Sequence, residues 1–169
     1  MSEIIYKEIE KKDKAKILDL MDNVINSLER PEFYFIGDKK KELQRMFDLE
    51  YVYNLGAYDS EKLVGITQLY VDQEDLKEYI DILRLTKYKV CDLGSALVLK
   101  EYRNRGIMQN LIKMQIEKAI NLKFNYVIAT VHPENIPSNT VFKKSGFSIK
   151  KKCIVNNQYL RNLYQIKLS

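Results

Sequence analysis

Two arginines and a glycine, Arg103, Arg105 and Gly106, stand together just ahead of a helix-forming run that starts at Ile107. Backbone N–H groups at a helix start have no internal partners and point outward with the positive end of the macrodipole. With guanidinium charge beside them they form a site for phosphate oxygens, and a glycine lets the main chain approach a ligand with no Cβ in between. The chemistry expected of residues 103–108 is phosphate binding; a plain tight turn is the alternative. Upstream, Asp92 interrupts an otherwise apolar run, where burying a carboxylate without a purpose is costly. It reads as a general base or as a partly solvated residue near a strand start. Cys91 reads as a small apolar filler rather than a nucleophile. His132, before Pro133, reads as a polar strand end rather than a proton relay. Glu101, close to Arg103, reads as a surface ion-pair partner.

These residues need elements to hold them. Residues 90–99 read as a long strand, 100–106 as a basic polar loop, and 107–122 as an amphipathic helix with Leu111, Ile112, Ile116, Ala119 and Ile120 inward. Residues 126–131 read as a short buried strand and 137–145 as a helix ended by Gly146. Two strands follow, 147–155 and 159–168, around an Asn156-Asn157 turn. At the other end, 4–9 alternates as an opening strand, and Asp13 is expected to cap a helix with Ile17, Leu18, Met21, Val24, Ile25 and Leu28 on one stripe. Arg30-Pro31 is expected to stop that helix. The aromatic segment Phe33-Tyr34-Phe35, a Gly37-Asp38 break and a second helix over 39–49 come next. Residues 51–58 and 63–71 read as an antiparallel hairpin, and 72–89 as a short helical excursion. The order predicts an α+β fold in a single domain over 1–169, with a mixed, largely antiparallel sheet and helices on both faces.

Within that order, Arg103-Asn104-Arg105-Gly106-Ile107-Met108 resembles the pyrophosphate-binding loop of the GNAT superfamily of N-acetyltransferases, Arg/Gln-x-x-Gly-x-Gly/Ala. Downstream, Asn135 to Phe147 resembles that family's Asn-x-x-Ala-x-x-x-Tyr-x-x-x-Gly-Phe element, with Ser138, Phe142 and Gly146 in register. The resemblance implies the acyl-CoA N-acyltransferase fold, its sheet splayed between the fourth and fifth strands. Acetyl-CoA would lie in the opening as co-substrate. Its pantetheine arm would pair with main-chain groups of Leu97, Val98 and Leu99, in the manner of an added strand. Its diphosphate would rest on the amides of Arg103, Asn104, Arg105, Gly106, Ile107 and Met108. Asn135, Ser138, Asn139 and Phe142 would flank the arm.

The activity so implied is acyl transfer to a primary amine of a small molecule or peptide, directly, in a ternary complex. An alkylammonium with a pKa of about 10.4 must lose its proton first, and Asp92 is the candidate base. Counting back from the loop, it matches the strand position of the glutamate base in some histone-acetylating members. A main-chain N–H at Val98 or Leu99 is the expected oxyanion donor. Two departures from the pattern stand out: Met108 replaces a small residue, and Phe142 replaces the tyrosine that can protonate the leaving thiolate. Tyr159 and Tyr164 are the candidates to replace that phenol. The departures also admit a second reading, a non-catalytic acyl-CoA-binding protein.

Composition closes off other classes. The chain has 169 residues, 46% hydrophobic and 30% charged, with a net charge of +5. That length buries roughly 70% of the unfolded chain's surface in a single core. The lysine runs at 39–41, 143–144 and 150–152 lack interleaved aromatics and read as solvated faces, so no nucleic-acid partner is expected. Two cysteines and one histidine cannot build a zinc site, so no metal is expected. No apolar run approaches the roughly 20 residues of a membrane span, and the opening residues lack a signal-peptide core, which predicts a cytoplasmic protein with no membrane partner. A homodimer is left open.

Overall fold

The computed structural model describes residues 2–34 and 38–168; Phe35 and Gly37 of the aromatic segment and break lie outside them. Alternation of apolar and polar residues makes β1 (Ile4–Glu8), which pairs antiparallel with β2 (Val52–Asp59). The expected hairpin follows: β2 turns back into β3 (Lys62–Tyr70), with Ser60 at φ +53° in the turn. β4 (Val90–Val98) runs antiparallel to β3, and β5 (Tyr126–Val131) parallel to β4. β7 (Tyr159–Lys167) inserts between β5 and β6 (Ser148–Val155), giving the order β1-β2-β3-β4-β5-β7-β6. The last two strands meet at Asn156 and Asn157, both at positive φ as a tight hairpin turn requires.

Helices α1 (Lys14–Asn26), α2 (Lys39–Gln44), α3 (Lys77–Ile82), α4 (Ile107–Asn121) and α5 (Ile136–Lys144) cover this sheet. On one face Leu76, Tyr79 and Ile80 around α3 pack with Val90, Ile128 and Leu163. On the other, Ile112 and Ala119 of α4 and Phe142 of α5 pack with Cys91, Leu93, Val127 and Ala129. α1 lays Ile17, Leu20 and Val24 into a cluster with Ile66 and Leu97. No helix among the described residues is long and apolar enough to cross a membrane.

Several local expectations are corrected. Asp13 does not cap α1 with its side chain; its carboxylate accepts the Tyr58 hydroxyl at 2.9 Å and pairs with Lys16 at 3.4 Å. α1 ends at Asn26, ahead of Arg30-Pro31, where the Ser27 hydroxyl donates back to Val24 O at 2.7 Å. α2 stops at Gln44; it is capped by Asp38, which accepts Lys41 N at 3.1 Å. In α4, Ile120 is 49% exposed, and the inward position goes to Gln115, whose amide donates to Thr67 O at 3.2 Å and Tyr53 O at 3.3 Å.

Candidate active site

β4 and β5 pair only at Val90, Cys91 and Asp92, opposite Tyr126, Val127 and Ile128. Beyond Asp92, β4 stays with β3 and β5 stays with β7, so a wedge opens between them. A bulge sharpens the parting. Ser95 and Ala96 together face Thr67 alone, with Ser95 at φ +46°, and such an extra residue bends and twists its strand. Antiparallel bonding alternates, and Leu99 N–H donates to Val64 O at 2.9 Å. Val98, one residue earlier, therefore turns its N–H and C=O away from β3 toward the wedge, while Leu97 turns its own toward β3. The Val98 carbonyl accepts Arg103 Nε at 3.1 Å, which leaves the Val98 N–H facing the opening.

The loop after β4 ends at Gly106, φ +74°, with Asn104 also left-handed at φ +61°. These two reversals turn successive amides outward. The amides of Asn104, Gly106, Ile107, Met108 and Gln109 have no hydrogen-bond partner among the described residues. A Cβ built on Gly106 meets nothing within 4 Å, so the space over the loop is open. Arg105 braces the loop from outside, donating to Glu101 O at 3.0 Å over the Tyr102 ring. Met108 is half-buried against the clusters on both sides of the fork. Unpaired amides at the start of a 15-residue helix, beside a gap in the sheet, fit a diphosphate and a linear amide-bearing arm.

A cleft of about 1430 Å³ runs through the wedge. Of the residues singled out from the sequence, its wall includes Asp92, Leu97, Val98, Arg103, Asn104, Gly106, Ile107, Met108, Asn135, Ser138 and Phe142. Leu99, Arg105, Asn139 and Tyr164 do not reach the wall, and neither do Cys91, Glu101, His132 and Tyr159. Leu99 has its amide on β3, and Arg105 faces outward. Asn139 is 6% exposed and saturated: Nδ2 donates to His132 O at 2.9 Å and Asn135 O at 2.8 Å, while Oδ1 accepts from Asn162 at 3.0 Å and the Tyr164 hydroxyl at 2.5 Å. Tyr164 is fully buried, stacked on Phe142 at 5.8 Å, which corrects the idea that its phenol reaches the acceptor side. Cys91 is buried on the α4 face, and burial pushes its thiol up. Burial and then the Arg161 charge lower the His132 imidazole, whose Nδ1 accepts Glu134 N at 3.1 Å.

Asp92 sits at the vertex, the last residue of β4 that pairs with β5. One of its oxygens is shut off from solvent with no hydrogen-bond partner, and burial pushes the carboxyl up to about 7. Beside it, the hydroxyls of Tyr34 and Tyr70 approach Ser95 Oγ at 3.2 and 3.4 Å. Tyr70 donates to Gln68 at 2.9 Å, Gln68 to Asn54 at 2.8 Å, and Asn54 to Met46 O at 2.6 Å. Lys100, Arg103 and Lys144 line the flank made by β4, α4 and α5, whereas Asp38, Glu42, Asp75, Glu78 and Asp92, with Lys41 paired to Asp75, line that of α2, α3 and β4. Glu42, half-buried, is raised by burial and then by Asp38 and Asp75. Sequence reasoning missed Glu42, Tyr70, Tyr79 and Arg161. Arg161 alone carried a signal, since it alternates with Tyr159 and Leu163 on the inward phase of β7.

A seven-stranded sheet forked at a parallel pair, with helices on both faces, is the fold of the acyl-CoA N-acyltransferases. The model of the acetyltransferase (GNAT) family matches residues 21–147, and the chain belongs to that family of acyltransferases. The fold is similar to that of a GNAT acetyltransferase from Streptococcus pneumoniae, with 19% identity, 98% of this chain and 100% of that chain covered, and a TM-score of 0.72. It is similar to Arabidopsis thaliana NAA60 in complex with acetyl-CoA, with 16% identity, coverage of 98% and 99%, and a TM-score of 0.72. It is also similar to the putative acetyltransferase yncA of Salmonella typhimurium with its cofactor acetyl-CoA, with 14% identity, coverage of 99% and 95%, and a TM-score of 0.73. No curated protein matches by sequence.

Proposed function

We propose that the chain is an acetyl-CoA-dependent N-acetyltransferase that moves the acyl group from CoA to a primary amine by direct transfer in a ternary complex. The observation that carries this reading is the wedge beyond Asp92, which opens onto unpartnered amides on one flank and a carboxylate with an unpaired oxygen at its vertex. The amides of Asn104, Gly106, Ile107 and Met108 hold the diphosphate, with Arg103 adding charge. The Val98 carbonyl, with a lone pair left beside Arg103 Nε, pairs with the pantetheine arm; the contribution of Leu97 is its side chain on the wall. Asn135, Ser138 and Phe142 close the other side.

In the transfer, the Asp92 carboxylate accepts a proton from the acceptor ammonium. A carboxyl with a pKa of about 7 is a far better match to this task than an ordinary aspartate. The neutral nitrogen attacks the thioester carbonyl, and the Val98 N–H receives the oxygen as it gains charge. Collapse re-forms the carbonyl and breaks the C–S bond, while the nitrogen, cationic after attack, sheds its second proton to solvent. The leaving thiolate belongs to a thiol of pKa about 8.5, so its departure demands no phenol, and Phe142 in place of tyrosine is tolerated. The proton held by Asp92 then passes to the thiolate or to solvent, which resets the base.

The test is thiol release from acetyl-CoA across a broad panel of primary amines, alongside thermal stabilisation by CoA. Amine-dependent release supports the enzyme. Stabilisation by CoA with no release on any amine supports the rival reading, a non-catalytic acyl-CoA binder, which Met108 and Phe142 motivate.

A further inference from the structure

Arg161 is 2% exposed, yet it lines the cleft. Its guanidinium donates to two main-chain oxygens, Leu160 O and Glu32 O, each at 2.8 Å. Two of five N–H donors are thus accounted for. It stands near the Tyr159 ring at 5.3 Å. No carboxylate among the described residues pairs with it. The Glu32 carboxylate, whose charge reaches it, is held by Arg30 at 2.7 Å. A buried carboxyl can escape the cost of desolvation by taking a proton, and burial pushes Asp92 in that direction; a guanidinium has no such exit. A permanent charge kept inside a cleft wall without a counter-ion is a feature that an anionic ligand completes.

Arg161, Asp92 and Tyr79 of α3 line the same cleft. Burial and then the Asp92 charge raise the Tyr79 phenol, while the Arg161 charge lowers it. The cleft therefore presents a candidate base and a cation with no carboxylate partner among the described residues. Asn156 and Glu78 line the cleft as well, and Glu78 is already engaged by Asn156 N at 2.9 Å.

We infer that the acceptor is an amino acid-type molecule, its amine delivered to Asp92 and its carboxylate received by the Arg161 guanidinium. The inference rests on the acyl-transfer reading and narrows it to a carboxylate and an amine carried by one small acceptor. A planar guanidinium fork suits a carboxylate in two-point contact, which an ammonium in its place would not reproduce.

The experiment is calorimetric titration of the CoA-loaded protein with the common L-amino acids and the ω-amino acids from glycine to 6-aminohexanoate. Each is compared with its own amide, which keeps the amine and removes the charge. At least one acid is expected to bind about tenfold or more tighter than its amide, and in Arg161→Gln that ratio is expected to fall to about one. Lys150→Gln, exposed and outside the cleft, controls for the loss of a positive charge. Acids and amides that bind alike, or do not bind at all, overturn the inference, as does a ratio that survives in Arg161→Gln. Should that variant not fold, Arg161→Lys decides: the ratio falls about threefold or more, and an unchanged ratio overturns the inference. A protein that binds the acids but never releases thiol loses the catalytic reading alone, so the two failures are distinct.

Discussion

Asp92→Asn tests both the physics of the vertex and the chemistry drawn from it. Burial lifts this carboxyl from 3.8 to about 7, so between those values the folded chain holds a proton that the unfolded chain has released. Stability is therefore full at low pH, falls as pH rises toward about 7, and levels off above. From about pH 5 to about pH 8.5 the folded state loses roughly two pKa units of linkage, or about 3 kcal/mol. An asparagine of the same shape does not titrate. Urea unfolding of the unliganded protein at the two pH values should show the wild type losing about 3 kcal/mol relative to Asp92→Asn. In catalysis, wild-type kcat/KM should rise with pH to a plateau above about 7, and the variant should fall about 100-fold below that plateau and lose the inflection. A difference in stability between the two proteins that is the same at both pH values refutes the burial argument. A wild-type-like profile with its inflection intact refutes the base.

Three further outcomes are expected. Gly106→Trp places a side chain at φ +74°, at about 1–3 kcal/mol in strain, and covers the open amides, so calorimetry should show CoA affinity down by more than tenfold in a folded protein; unchanged affinity removes the loop assignment. Tyr164→Phe deletes the hydroxyl that donates to Asn139, so the midpoint of urea unfolding should report about 1 kcal/mol lost, with kcat within a few-fold of wild type; a collapse of kcat would restore the phenol as the acid. Cys91→Ala should cost about 1–2 kcal/mol in packing and keep turnover, and mass spectrometry of a reacting wild-type sample should find no acylated thiol, because this cysteine faces away from the cleft.

What the sequence made legible was what strong local rules govern. The hairpin around Ser60, the strand ending at Val98, the helix starting at Ile107 and the double-asparagine turn all announce themselves through alternation, glycine or turn chemistry. Helix ends were less legible: Ser27 unravels α1 by a side-chain bond that competes with the ladder, ahead of the proline that seemed to govern it. Asp13 looked like a cap, but Tyr58, far along the chain, claims its carboxylate. Gln115 for Ile120 shows the same limit, since two main-chain oxygens that only tertiary structure brings near determine which residue turns inward. The proposed cofactor side was readable because it lies in two short stretches of chain, 97–108 and 135–142. The acceptor side draws Glu42, Tyr79, Asp92 and Arg161 from four separate elements, and no spacing in the sequence encodes their meeting.

The parting of β4 from β5 also bears on colloidal behaviour. Past the vertex, β4 offers a bare flank whose Val98 amide faces the cleft. Exposed strand flanks of this kind recruit other polypeptides. A ligand seated there serves as a plug as much as a reactant, and the empty protein is the form that stickiness threatens.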